Sequence, residues 1–344
     1  MKPRRIVVGA LAKKKRVLPP QVEPINLYCL NTPGQGDGAV LLDCGFFIPH
    51  EIRPKQAHPV FQTDYDALRS LSLQEVAAGL QAHGYPGIDV VISTHGHADH
   101  AGLGPELHRE YNCEFWASES EGSLRLSPED AGFDMRSVLR SNGFYEGRFG
   151  PVAKMFASTE KDGSPGFSRM GDAEYDLNVR RVLKPEEVID LGEERYRVLE
   201  VYGHSRGQVL LVNESDPSDM AIHGADQIQK NEPPTFLSYS GLRLGLGWYL
   251  RSMDALFEKH PEYRQIRRIY PAHASTGHLD RFEKTPIENL GQWWDACSGK
   301  IHGELETALE TLSTGPMLAM DLFEHILGER ADALAAKGMN GMIA

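Results

Sequence analysis

The sequence predicts an α/β domain followed by a helical C-terminal segment. Three observations carry this. Short apolar runs bounded by Gly, Pro, Asp and Ser recur as strands, an amphipathic helical pattern stands between two of them, and the pattern turns mainly helical from about Thr285. A chain of 344 residues has room for one large domain of two or four layers with a substantial core, plus a small appendage.

In chain order, NLYCL, TPGQGDG and AVLLDCGF read as strand, tight turn and strand, with Val40, Leu41 and Leu42 suited to burial. Over 64–84, Leu68, Leu71, Val76, Leu80 and His83 share one helical face. GIDVVISTHGHADHAGL then gives a buried strand through Val90, Val91 and Ile92, with Ser93 opening a polar turn, and a helix follows from about Gly104 to Tyr111. Between about 118 and 180 the period is lost among Gly, Ser, Pro and charges. This stretch reads as an insertion that walls or covers a substrate cleft, with Tyr145, Arg169 and Tyr175 as candidate substrate contacts. Alternation resumes in EEVIDLGEERYRVLEVYGHSRGQVLLVNES as two or three short strands with a turn at Gly203-His204. A strand from Met220 to His223 follows, then IRRIYPAHAS. Near the end, Ile301, Leu305, Ala308 and Leu312 form one helical stripe that should pack on the domain. Leu318, Leu322 and Ile326 form a second stripe beyond Thr314-Gly315-Pro316, and Trp293 and Trp294 should anchor this part.

Composition narrows the class. With 41% hydrophobic and 24% charged residues the chain is an ordinary globular one. A net charge of −12 disfavours broad nucleic-acid binding, which needs clustered Lys and Arg. Cys29, Cys44, Cys113 and Cys297 form no CxxC pair and read as reduced packing residues of a cytoplasmic protein. No apolar run approaches the roughly 20 residues of a membrane span. The opening MKPRRIVVGALAKKKRV has the look of a signal peptide, but its apolar stretch stops at Lys13-Lys14-Lys15-Arg16. A solvated basic arm or a first edge strand is expected there, with a weak membrane or nucleic-acid contact as the alternative.

The chemistry concentrates in His95-Gly96-His97-Ala98-Asp99-His100. Four potential ligands directly after an apolar strand are not explained by packing, because burying such groups unpaired costs several kcal/mol. Gly96 and Ala98 let the backbone turn tightly, so that His95 and His97 face one ion while Asp99 and His100 face another. The absence of cysteine points to a catalytic rather than a structural zinc site. His223, which alternates to the other side of its strand, and His278 are set aside as packing and loop residues. Ser205 lacks the GxSxG setting of a nucleophile and takes a supporting role.

HGHADH resembles the HxHxDH signature of the metallo-β-lactamase superfamily. LLDCG with Asp43, YGHSRGQ with His204, HGADQ with Asp226 and PAHAS with His273 resemble its other motifs, in the family's order, over about residues 26–280. The resemblance implies a four-layer αββα sandwich as the catalytic domain over 1–284, with the insertion at about 118–180. Residues 285–344 would be a C-terminal helical segment similar to a winged-helix-like appendage. It also implies two zinc ions, with iron or manganese as substitutes. His95, His97 and His204 would bind one, Asp99, His100 and His273 the other, and Asp226 would bridge them, while Asp43 supports the metal loop. The implied activity is hydrolysis of a thioester or lactone by metal-bound hydroxide, with Asp99 as a catalytic residue that orients the nucleophile and shuttles its proton. Asp226 argues against the common β-lactamases, which lack this carboxylate. A phosphodiesterase or ribonuclease, an iron-dependent dioxygenase and a non-catalytic binding module are the alternatives. The partner implied is a small-molecule substrate, with no nucleic-acid site; assembly into a homo-oligomer is left open.

Overall fold

Alternation along the strands sorts the apolar side chains onto two faces of each of two sheets. The computed structural model describes residues 4–18, 24–34, 37–47, 64–119, 179–205, 207–229, 245–273, 288–315, 321–322 and 325. The first sheet contains β1 (Arg4–Val8), β2 (Ile25–Cys29), β3 (Ala39–Leu42), β4 (Ile88–Ile92), β5 (Glu114–Ser118) and β6 (Val179–Leu183), in that order. Its first three strands are antiparallel, and β3 to β6 run parallel. The second sheet has the order β11-β10-β9-β8-β7, built from β7 (Val188–Leu191), β8 (Glu194–Val201), β9 (Gln208–Asn213), β10 (Ala221–Ala225) and β11 (Arg268–Pro271). Only its β10–β11 pair is parallel.

Three apolar layers separate four layers of structure. Ile25, Leu27, Leu41, Val91 and Phe115 face outward from the first sheet onto α2 (Tyr65–His83) and α4 (Gly104–Tyr111), through Leu68, Val76, Leu80 and Leu107. The alternate residues Tyr28, Leu30, Val40, Leu42 and Ile92 meet Tyr196, Val198, Val209 and Leu211 between the sheets. Leu199, Leu210, Val212, Ile222 and Ile269 face the other way onto α5 (Leu246–Lys259) and α6 (Leu290–Ser313). The arrangement is the αββα sandwich. A register slip by one residue would exchange these faces, so the patterning fixes the pairing.

Local signals fix the helix ends. The Asp64 carboxylate accepts from the Ala67 N–H at 2.9 Å to start α2, and Gly84 ends it in the left-handed region at φ 83°. Asn289 accepts from the Gln292 N–H at 2.9 Å to start α6. The basic N-terminal stretch forms β1, an edge strand, and the short α1 (Ala10–Lys14). The four cysteines are buried free thiols. Among the described residues no helix is long and apolar enough to cross a membrane.

Two details depart from expectation. β10 runs on to Ala225 instead of stopping at His223, because its pairing with β11 continues past a register shift between His223 and Ala225. Of the stripe expected to pack α6 on the domain, Ile301 is buried and Ala308 half-buried, while Leu305 and Leu312 are 40% and 41% exposed. The helix is held instead by Leu290, Trp293, Trp294, Cys297 and Ile301, full burial of a Leu or Ile side chain being worth about 1.5–3 kcal/mol. The Trp293 indole donates to the Gln229 carbonyl at 2.7 Å and that of Trp294 to Asp254 at 3.0 Å. Tyr145, Arg169, Tyr175, His278, Leu318 and Ile326 lie outside the described residues.

Candidate metal centre

Strand ends deliver the site. β4 ends at Ile92, and the chain passes through Ser93 and Thr94 to His95. β3 ends at Leu42, and the next residue, Asp43, adopts φ 63°. That left-handed turn aims the Asp43 carboxylate back at the neighbouring strand end. It accepts from the Thr94 N–H at 2.8 Å, from the Thr94 hydroxyl at 3.0 Å, and pairs with His100 Nδ1 at 2.8 Å. The Thr94 hydroxyl, having given its proton to Asp43, is left to accept from His95 Nδ1–H at 3.0 Å. Both imidazoles thereby present Nε2 with its lone pair directed away from these partners.

Four other segments bring the remaining side chains. His97 precedes the one-turn α3 (Ala98–Ala101), which carries Asp99 and His100. His204 follows β8 on a turn that requires glycine: Gly203 has φ 118°, and a Cβ there would lie 2.6 Å from Tyr249 Cα. Asp226 follows β10 after Ala225, itself at φ 43°. His273 follows β11 and pairs with Ile25 through a backbone bridge, while the Asn26 N–H donates to the Ala272 carbonyl at 2.8 Å.

All seven side chains singled out from the sequence meet. They form two groups, His95, His97, His204 and Asp226 in one and Asp99, His100 and His273 in the other, each with its ligand atoms within 4.8 Å of one another. In the first, His95 Nε2 and His97 Nδ1 are 2.9 Å apart. His204 Nε2 lies 3.2 Å from the former and 3.0 Å from the latter. Asp226 Oδ2 is 3.3 Å from His204 Nε2, and its other oxygen is 3.3 Å from both His100 Nε2 and His273 Nε2. Asp99 Oδ2 is 3.1 Å from His273 Nε2. One carboxylate therefore faces both groups.

These distances fit metal ions. Ligands at about 2.0–2.1 Å from a tetrahedral zinc stand about 3.3–3.4 Å from one another. Three imidazole nitrogens converging on one point cannot all satisfy each other by hydrogen bonds, but each can give a lone pair to a cation. His100 Nε2 and Asp226 Oδ1 are buried 3.3 Å apart and make no well-formed hydrogen bond among the described residues, an arrangement that a shared cation would relieve. The cluster of His and Asp side chains fits a dinuclear metal site.

Charge divides the centre in two. Burial, reinforced by the neighbouring imidazoles, holds His95 well below its usual pKa and His97 down at about 3, so both are neutral donors. Burial opposes the charge of His273 as well, but Asp226 and Asp99 outweigh it and raise its pKa to about 10. Against the same opposition, Asp226, Asp43 and Asp99 raise His100 well above its usual value. Burial would raise both carboxylates. His273 and His100 nevertheless hold Asp226 well below the usual range, and His100 and His273 do the same for Asp99. Positive charge is thus favoured next to Asp226 and Asp99, the place where a cation would reside.

The residues set aside lie elsewhere. His223 is buried between the sheets against Tyr28, Tyr196 and Tyr270, with ring centroids 4.8–6.0 Å away. Ser205 is buried, and among the described residues its hydroxyl has no hydrogen-bond partner that could serve as a base. Sequence reasoning overlooked Thr94, Gln208 and Gln227. Thr94 carried a signal, a hydroxyl one residue before the first histidine. Gln208 and Gln227 are the last residues of YGHSRGQ and HGADQ, motifs read only for His204 and Asp226.

The sequence profile of the metallo-beta-lactamase superfamily matches residues 22–217. Among solved structures, a beta-lactamase domain protein from Burkholderia ambifaria is 17% identical, with a TM-score of 0.57, over 94% of this chain and 81% of that one. A metallo-beta-lactamase family protein from Thermus thermophilus is 18% identical, with a TM-score of 0.56, over 99% of this chain and 91% of that one. At such identities the likeness concerns the fold. Comparison with curated proteins gives no match. With the profile spanning more than half of the chain, this protein belongs to the metallo-beta-lactamase superfamily of metal-dependent hydrolases.

Proposed function

We propose that the protein is a dinuclear zinc hydrolase acting on a carboxylic ester-type bond, a thioester or lactone, of a small-molecule substrate. The observation that carries the reading is the Asp226 carboxylate, with one oxygen toward His204 and the other toward His100 and His273. Such a carboxylate suits a pair of cations rather than one. In this reading His95, His97 and His204 hold one ion, Asp99, His100 and His273 the other, and Asp226 both.

Two bound divalent cations would supply Lewis acidity toward the substrate carbonyl and lower the pKa of water. The chain's own residues do the rest. Asp43 and Thr94 fix which nitrogens of His100 and His95 face inward. Asp99 is the more exposed of the two central carboxylates, at 27% against 7% for Asp226, so it is the one that water reaches more readily. Its carboxylate orients the attacking water and takes its proton. The net charge of −12 favours a carboxylic ester over a polyanionic nucleic acid.

The test is metal analysis combined with a substrate panel. Purified protein should hold about two equivalents of transition metal. With zinc, manganese or iron supplied in turn, acyl thioesters or lactones should be cleaved in preference to phosphodiesters and short RNAs. Protein without metal after metal-supplemented expression would sink the reading. Cleavage of RNA alone would replace the ester by a phosphodiester.

A further inference from the structure

β10 shifts register against β11 between His223 and Ala225, and Ala225, its last residue, is in the left-handed region, so the strand ladder does not continue into the metal loop at Asp226. The backbone N–H groups of Asp226 and Gln227 need other acceptors, since burying them unpaired is costly. Gln208, at the start of β9 and wholly buried, supplies them. Only one orientation of its amide suits these neighbours. With Oε1 toward the loop it accepts from Asp226 N–H at 2.8 Å and from Gln227 N–H at 3.0 Å.

A second glutamine extends the tie. Gln227 donates from its side-chain amide to the Tyr202 carbonyl at 3.0 Å, two residues before His204. The Tyr202 N–H in turn donates to Ser252 Oγ at 2.9 Å, and the Gly203 carbonyl accepts from the Gly245 N–H at 2.8 Å, which fastens this turn to α5. The Asp226 loop and the His204 turn are therefore joined by side-chain amides as well as through the sheet.

We propose that Gln208 and Gln227 are positioning residues of the metal centre: they lock the Asp226 loop to the His204 turn, so that the shared carboxylate stands at a fixed distance from His204. This rests on the reading of the seven side chains as a dinuclear centre. Neither glutamine belongs to the two groups of ligand side chains. Each acts by removing the freedom of a ligand-bearing loop, as outer partners of metal ligands do.

The experiment uses the full chain as wild type, Gln208→Leu, Gln208→Glu and Gln227→Met. Thermal unfolding is followed without metal and with saturating zinc, and bound zinc is counted during competition with a chelator. A positioning role predicts that Gln208→Leu and Gln227→Met weaken the less tightly held zinc about 10- to 100-fold. That equals about 1.4–2.7 kcal/mol of lost zinc-linked stabilisation, so the zinc-induced rise in unfolding temperature shrinks. Gln208→Glu keeps an acceptor oxygen at the same reach and should preserve the rise. Equal lowering of the melts with and without zinc, at wild-type zinc retention, would show that the amides only support the fold and would overturn the proposal. If Gln208→Leu has no cooperative melt, Gln227→Met decides by the same readout. A wild type whose melt ignores zinc would instead sink the dinuclear reading itself, before any variant is compared.

Discussion

Asp43 Oδ2 and His100 Nδ1 stand 2.8 Å apart, both fully enclosed by protein, at the ends of two segments that are 57 residues apart in the chain. The contact fixes the orientation of the His100 ring and so decides which of its nitrogens is offered to a cation.

Replacing Asp43 should therefore act on metal binding without removing a ligand. Asp43→Ala is expected to weaken zinc held by the His100 group about 10- to 100-fold. It should also cost about 1–3 kcal/mol of zinc-free stability, because the Thr94 N–H loses its acceptor. Chelator competition and urea unfolding read the two effects separately. Wild-type zinc retention in this variant would refute the orienting role.

Asp226→Ala removes the carboxylate that faces both groups. Turnover should fall by at least about a hundredfold while the far-ultraviolet circular dichroism stays close to wild type. Activity near wild type would rule out a bridging carboxylate.

Gly203→Ala tests the turn that presents His204. The new Cβ would meet Tyr249 Cα at 2.6 Å, at a φ of 118° that side chains avoid. A loss of about 1–3 kcal/mol is expected from the backbone alone, with weaker zinc binding as the turn shifts. Denaturant midpoints equal to wild type would show that the turn yields at no cost.

His223 gives a prediction about acid. Burial lowers its pKa from 6.5 to about 3, so the folded chain resists a proton that the unfolded chain takes up below pH 6.5. Its contribution is therefore fully present above pH 6.5 and is lost as the pH falls toward 3, at up to about 1.4 kcal/mol per pH unit. His223→Phe, which keeps a ring among the three tyrosines, should lose up to about 2 kcal/mol less than wild type between pH 7 and pH 5. Urea unfolding at the two pH values measures it, and parallel losses in the two proteins would contradict the assignment.

Much of this was legible before any coordinates. Leu68, Leu71, Val76 and Leu80 marked α2 because a helix has to bury one stripe, and Val90 to Ile92 marked β4 because a central strand buries both faces. The α6 stripe misled for the opposite reason. Period alone cannot tell where a helix outruns its neighbours, and Leu305 and Leu312 remain exposed. The stretch from about 118 to 180 gave no period to read.

Residue type and spacing determined the chemistry: imidazoles and carboxylates at the ends of apolar strands, with small residues between them, imply ligands for a cation wherever the chain brings them. Convergence was another matter. That Asp226 stands between His204 on one side and His100 and His273 on the other depends on how β10 pairs with β11, and on Gln208 reaching across from β9. Those contacts join residues distant in sequence and act through backbone N–H groups that every residue but proline carries. A list of side chains has no trace of them, so only the tertiary structure could settle them.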